Sequence, residues 1–197
     1  MKIISSFLVV AIVLVGCSSK DSLEAHDLFE DGKYKEAAAA YETYLTQNAP
    51  TVNVLYNQGR SYQELGEFDK AEANFMQVIK IDQNHTNSIL GLAQVYYAQG
   101  NYNKSSVNAQ LAIDKSSNNA KAFFILGRSL HHLGYFNEAL EAYNSCITYN
   151  KKFGEAYLYR GAIKIAKNTP RSACEDFQTA KRLKVKEADK AVKDYCG

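Results

Sequence analysis

From Ala25 onward, apolar and small residues recur at helical spacing in blocks broken by a glycine. One block carries Leu55, Gln58, Gly59 and Tyr62, and the next carries Ala71, Phe75 and Val78. Steps of three and four residues keep such positions on one face of a helix. This pattern predicts helices over about 52–65 and 68–81. The arrangement returns as Ile89, Leu92, Ala93 and Tyr96 followed by Ser105, Ala109 and Ala112. It returns again as Phe123, Leu126, Gly127 and Leu130 followed by Ala139, Tyr143 and Cys146. A later copy carries Tyr157, Gly161 and Ile165, then Ala173, Phe177 and Ala180. An opening copy is recognisable from Ala25, Leu28, Gly32, Tyr34, Ala37 and Tyr41.

The blocks keep a common phase. Gly32, Gly66, Gly100, Gly134 and Asn168 stand 34 residues apart, and two places after each comes Tyr34, Phe68, Tyr102, Phe136 or Pro170. Each Gly sits where one helix must end and the next begin. A left-handed residue favours such an ending, and Gly enters that conformation without a Cβ clash. Asn tolerates it better than other side chains. Thr169-Pro170 then reads as an N-cap followed by proline in the first turn. After Lys184 the phase changes. Lys186 to Tyr195 reads as a charged helix with Ala188, Ala191, Val192 and Tyr195 on one face, suited to cap the end of an array.

Period, small residues and ring positions together resemble the tetratricopeptide repeat family, in which 34-residue helix hairpins stack. The resemblance covers nearly the whole chain beyond its leader. It implies an all-α, right-handed α-solenoid of about five hairpins plus a C-terminal capping helix. The units run about 21–51, 52–85, 86–119, 120–153 and 154–185, and the cap spans 186–197. Gly59, Gly127 and Gly161, with Ala25 and Ala93, fall where paired helices approach closely. Gln58 and Arg160 depart from the family pattern at an apolar site, Lys164 at a ring site, and Gln83 or Lys151 at the usual proline.

The amino terminus reads as an export signal over 1–16. Lys2 gives a positive start, and Ile3 to Val15 is apolar except for Ser5 and Ser6. That run is short for a bilayer span. Leu14-Val15-Gly16-Cys17 resembles the lipobox of bacterial lipoproteins. This resemblance implies cleavage before Cys17, a diacylglycerol group on its sulfur, and a lipidated linker over 17–20. Acyl chains hold a protein to a bilayer at about 0.8 kcal/mol per buried CH₂. Ser18 in the following position implies the outer membrane, facing the periplasm. Asp21-Ser22-Leu23 resembles a bacterial O-glycosylation tripeptide, and a helix N-cap at Asp21 or Ser22 accounts for it equally well.

Composition narrows the partners. The 197 residues carry 46% apolar and 12% aromatic residues, with 14 Tyr, 9 Phe and no Trp. The formal charge is only +2, which gives no reason to expect nucleic acid. Of four cysteines, Cys17 falls in the lipobox and Cys146 takes a small core position. Cys174 and Cys196 flank a turn predicted at Leu183–Lys186. Helices folded back there bring them together, as a disulfide in an exported protein or as two free thiols.

In tetratricopeptide arrays the first helix of each pair lines the concave side. The resemblance therefore implies a groove of Tyr56, Arg60, Gln63, Leu90, Gln94, Tyr97, Lys121, Phe124, Arg128, His131, His132 and Tyr159. It continues through His26 and Phe29 at one end and Leu158 and Ile165 at the other. Rings and long polar groups suit an extended peptide or helix. The Lys/Asn/Arg clamp with which some relatives grip a C-terminal carboxylate is not reproduced. Tyr56, Arg60, Gly91, Lys121 and Ile125 occupy its positions, and only Lys121 fits. His131 and His132 are adjacent rather than one turn apart, so no metal site is expected. No nucleophile–base pair or phosphate loop stands out, and no cofactor is implied.

The reading is a membrane-anchored adaptor that binds protein or peptide partners in an envelope-assembly complex and is not an enzyme. The alternative is a lipoprotein that delivers a peptide or glycan to an outer-membrane transporter.

Overall fold

A computed structural model describes residues 18–197. Among these, eleven helices and no strand occur. They pair in chain order: α1 (Ser18–Glu30) with α2 (Tyr34–Gln47), α3 (Val52–Glu64) with α4 (Phe68–Ile81), and α5 (Thr86–Ala98) with α6 (Tyr102–Lys115). Next come α7 (Ala120–His132) with α8 (Phe136–Tyr149), α9 (Gly154–Ala166) with α10 (Pro170–Arg182), and a final α11 (Ala188–Tyr195) against α10. Cys17 lies outside the described residues, as does the whole 1–16 segment.

The five turn positions behave as their residue types demand. Gly32, Gly66, Gly100 and Gly134 have φ of 74–82°, and Asn168 has φ 57°. At each, the amide one residue further on donates to a carbonyl five residues back: Lys33 to Leu28, Glu67 to Tyr62, Asn101 to Tyr96, Tyr135 to Leu130, Thr169 to Lys164. This Schellman closure satisfies helix-end carbonyls and reverses the chain within two or three residues. A sixth such turn falls at Lys184, φ 63°, where Val185 donates to Ala180 before the capping helix.

Each second helix sends an anchor back onto its partner at a fixed phase. Tyr41, Phe75, Tyr143 and Phe177 are almost wholly buried, while Ala109 takes the equivalent place in the third pair. Phe75 is held between two glycines: a Cβ at Gly59 would lie 2.9 Å from its ring and one at Gly91 2.7 Å. Gly91 has no place among the close-approach positions expected from the sequence, because it serves the neighbouring pair rather than its own. Buried hydroxyls join three helices nearby. Ser129 Oγ donates to Ser105 Oγ at 2.7 Å, and Ser105 Oγ to the Ala93 carbonyl at 2.7 Å.

Several expectations are revised. Within the described residues helix α1 has 13 residues, the same as α3. It starts at Ser18, inside the segment read as linker, so Asp21 and Ser22 lie within the helix rather than at its cap. The Thr169 side chain does not cap α10. Its hydroxyl donates instead to the Lys164 carbonyl at 2.9 Å, closing the preceding turn.

The departures Arg160 and Lys164 have a shared cause. Both reach Asp176 on α10, whose side chain is 5% exposed. Arg160 grips it as a fork, Nη2 to Oδ1 at 2.6 Å and Nε to Oδ2 at 2.9 Å, and Lys164 Nζ lies 2.8 Å from Oδ2. Arg160 Nη1 also donates to Asn144 Oδ1 at 2.7 Å, which ties α9 to α8. A buried carboxylate is tolerated when cations and hydrogen bonds surround it.

Candidate functional site

Consecutive first helices touch one another, α1 with α3, α3 with α5, α5 with α7 and α7 with α9. Among the described residues the second helices of neighbouring pairs make no comparable contact. The array therefore curves with the first helices inside. A residue 31 places after another lies three short of the equivalent site on the next first helix, about one turn back. Side chains so related meet across the inner face. Arg60 lies over the Phe29 ring at 4.4 Å, Gln63 Nε2 is 3.4 Å from Gln94 Oε1 (31 residues apart), and Arg128 lies over the Tyr97 ring at 4.2 Å. Arg128 also covers Tyr159, 4.9 Å from its centroid, so one guanidinium joins three helices. Cations over ring faces are attracted by the quadrupole.

The row opens into a cavity of about 390 Å³ between α5, α7, α8 and α9. Tyr97, Arg128, His131, His132, Phe136, Tyr143 and Tyr159 line it. His132 stacks on Tyr102 at 4.3 Å and meets Tyr97 edge-on at 5.5 Å. His131 meets Phe136 edge-on at 5.6 Å. Tyr143 and Tyr159 lie nearly parallel at 6.2 Å. Two polar atoms here are buried and have no hydrogen-bond partner, Arg128 Nε and the Tyr143 phenol oxygen.

The electrostatics follow from that geometry. Burial raises the Tyr97 phenol above its ordinary value, and nearby Arg128 opposes the rise. Burial raises the Tyr143 phenol further, again against Arg128. His131 is pushed below the ordinary histidine value, first by burial and then by His132 and Arg128. No carboxylate lines the cavity, and among the described residues none pairs with Arg128.

Of the groove residues expected from sequence, Tyr97, Arg128, His131, His132 and Tyr159 meet in this cavity. Tyr56 and Arg60 form a second cluster with Phe29, and His85 lies edge-on to Tyr56 at 5.0 Å. Gln63 and Gln94 bridge between the two clusters. Leu90 departs from the expectation. It is 6% exposed and packs in the central core, because its side chain turns toward the neighbouring pair. Phe124 is buried as well and forms a wall beside Arg128, 5.8 Å away, and Phe153, 4.6 Å away. Lys121 is exposed and does not line the cavity. Sequence reasoning placed Tyr143 in the core and Phe136 at a turn. Both also face the cavity, and only their phase relative to Arg128 could have shown it.

Away from this face, Cys174 and Cys196 form a disulfide with Cα atoms 5.3 Å apart, closing α11 onto α10. Cys146 is free and buried, and burial pushes its thiol up to about 12.

The tetratricopeptide repeat profile matches residues 52–85 and 120–153, the second and fourth helix pairs. The chain is 27% identical over 174 residues to "Protein CTR9 homolog" of Arabidopsis thaliana, covering 85% of this chain and 16% of that protein. It is 24% identical over 147 residues to "BBSome complex member BBS4" of Bos taurus, covering 75% of this chain and 28% of that one. It thus spans less than a third of the length of these two relatives. Among solved structures, MamA from Desulfovibrio magneticus RS-1 superposes with a TM-score of 0.78 at 16% identity, covering 87% of this chain and 97% of that one. The Thermus thermophilus protein TTC0263, titled a thermophilic TPR protein, gives 0.69 at 16% identity, covering 90% and 96%. These structural likenesses are likenesses of fold. The chain therefore matches the tetratricopeptide repeat over its second and fourth helix pairs, and its fold is an all-helical solenoid.

Proposed function

We propose that this protein is a scaffold that holds protein partners on its inner face, anchored to a membrane through lipidated Cys17 in an envelope-assembly complex. The observation that carries the reading is the row of rings, cations and amides across consecutive first helices, which no other part of the described chain covers. Stacked pairs give this row its length, and the helix cores hold it rigid, so little ordering is needed when a partner docks. Two relatives are named as members of multiprotein complexes, BBS4 above and "Anaphase-promoting complex subunit 3" of Schizosaccharomyces pombe, which is in keeping with such a role.

Photo-crosslinking in membranes tests the scaffold. A photoreactive residue at Gln63 or Gln94, between the two ring clusters, should capture one defined partner. The same residue at Val107, exposed on a second helix, should not. Equal capture from both positions would refute an inner-face scaffold. The anchor has its own test. The mature protein should carry acyl mass on Cys17, and Cys17→Ser should move it to the soluble fraction. An unacylated mature protein would refute the anchor.

A further inference from the structure

The cavity beside Arg128 is charged on one side only. Its lining offers a guanidinium and two imidazoles with no acidic residue. A cation without a counterion in a half-enclosed site is electrostatically incomplete. Arg128 lies over the rings of Tyr97 at 4.2 Å, Tyr159 at 4.9 Å and Phe124 at 5.8 Å and shares a hydrogen bond with the Tyr97 side chain, and none of these contacts neutralises its charge. Its Nε is buried without a partner. The Tyr143 phenol lies in the same wall on a fully buried side chain, and its oxygen is also without a partner. Buried polar groups are nearly always satisfied, so two orphans on one cavity point to a ligand that supplies acceptors.

Arg60 provides a contrast. It stands two repeats earlier in the same phase and lies over Phe29 and Tyr56, yet its Nε is not among the orphaned atoms. Of these two arginines, only Arg128 has its Nε both buried and without a partner.

We propose that this cavity takes an ionised carboxylate from an acidic side chain of the partner, accepting from Arg128 Nε and from the Tyr143 hydroxyl. This rests on the inner-face scaffold reading and specifies the chemistry of what docks. A carboxylate has two acceptor oxygens, which matches two donors. The Tyr97 and Tyr159 rings lie against the guanidinium at 4.2 and 4.9 Å. Burial first, and then His132 and Arg128, hold His131 below the ordinary histidine value, which disfavours its charged form. An acidic side chain is favoured over a chain terminus because the row of rings and amides continues through Gln94 and Gln63 toward Arg60. A segment lying along that row meets the cavity as one of several contacts, which an internal side chain can make as the chain runs on.

The test uses a defined probe, N-acetyl-glutamate N-methylamide, with the glutamine analogue as control. The full mature chain with Cys17→Ser is observed by ¹H–¹⁵N NMR at the arginine Nε–H resonances. The glutamate probe should shift the Arg128 Nε–H signal saturably, and the glutamine probe should bind about tenfold more weakly or not at all. Arg128→Met should abolish saturation. Tyr143→Phe, which keeps the ring, should weaken it, and Arg60→Gln should leave it unchanged. Equal response to both probes, or saturation surviving Arg128→Met in a folded protein, would overturn the proposal. A response confined to a free C-terminal carboxylate, tested with N-acetyl-alanine, would overturn the side-chain assignment. Because the probe is small and defined, its failure is separate from failure of partner crosslinking. A silent probe with intact crosslinking sinks the carboxylate site alone, and the reverse result sinks the scaffold alone.

Discussion

Asp176→Ala should loosen the last helix pair, α9 against α10. The carboxylate is 5% exposed and holds two cations that are themselves only 18% and 22% exposed. Removing it leaves Arg160 and Lys164 facing each other across an apolar gap. Breaking a buried ion pair from one side costs roughly 3–5 kcal/mol. The lower end applies here because each cation keeps about a fifth of its surface in water. Arg160 also keeps Asn144 at 2.7 Å and Lys164 the Ser172 carbonyl at 3.4 Å. The expected loss is therefore about 3 kcal/mol. In a stacked array this loss falls on the local docking of α9 to α11 before it reaches global unfolding. Cys146 reports it, because the buried thiol on α8 packs in one core cluster with Ala156 and Ile163 of α9. With Cys17→Ser and the disulfide intact, its labelling rate by a thiol reagent measures the open fraction. At tenfold per 1.4 kcal/mol, the rate should rise about a hundredfold. Replacing all three groups together, Arg160→Leu, Lys164→Phe and Asp176→Ala, should return the rate to near the parent value, since apolar substitutes avoid the desolvation cost. A rise under tenfold for Asp176→Ala, or a triple variant as open as the single one, would refute this account.

Gly127→Ala should lower stability by about 1–3 kcal/mol in thermal melts despite a gain in helix propensity near 1 kcal/mol, because the new methyl would lie 2.7 Å from the fully buried Tyr143 ring. Stability should fall as pH rises from about 9 toward 12. Folded Cys146 (raised to about 12), Tyr96 (raised to about 12) and Tyr143 (raised) keep protons that the unfolded chain gives up. Below that window both states are protonated and these groups contribute no slope, and Cys146→Ala should flatten the fall in urea titrations at stepped pH. Reducing the Cys174–Cys196 bridge, which closes a 22-residue separation, should lower the stability of the α10–α11 cap by about 3 kcal/mol, read by hydrogen exchange at Ala180 and Ala191.

The architecture was legible because its cause is local and repeated. A turn that needs positive φ selects Gly or Asn at the same phase each time, and a ring that must seat on a partner helix selects a small residue opposite. Such demands recur with the 34-residue unit, so one sequence displays the turn five times and the ring four, with Ala109 in its place in the third pair. The turn at Lys184 shows the limit, since it has the geometry of the others but a residue type that does not announce it. The departures at Arg160 and Lys164 were visible as departures, but their meaning was not. Their common partner Asp176 lies on another helix and resembles any polar residue of an exposed face until the fold buries it.

The candidate site is harder to read for the same physical reason. A residue on the inner face is defined by its phase on its own helix and also by what stands one turn back on the next. Arg60, Gln94 and Arg128 share a phase, and their partners Phe29, Gln63 and Tyr97 share another. The cation–ring contact therefore forms, lapses to an amide pair, and forms again. Only the last of these three is extended by a ring of the following first helix, Tyr159, and joins a buried unpaired Nε and a buried phenol in one cavity. A strictly repeating sequence would make three equal sites. The breaks in the repeat gather a guanidinium, two imidazoles and an unpaired buried phenol at one place on the inner face. For a scaffold assembled from near-identical units, that asymmetry is what allows a partner to dock in a single register rather than slide between equivalent ones.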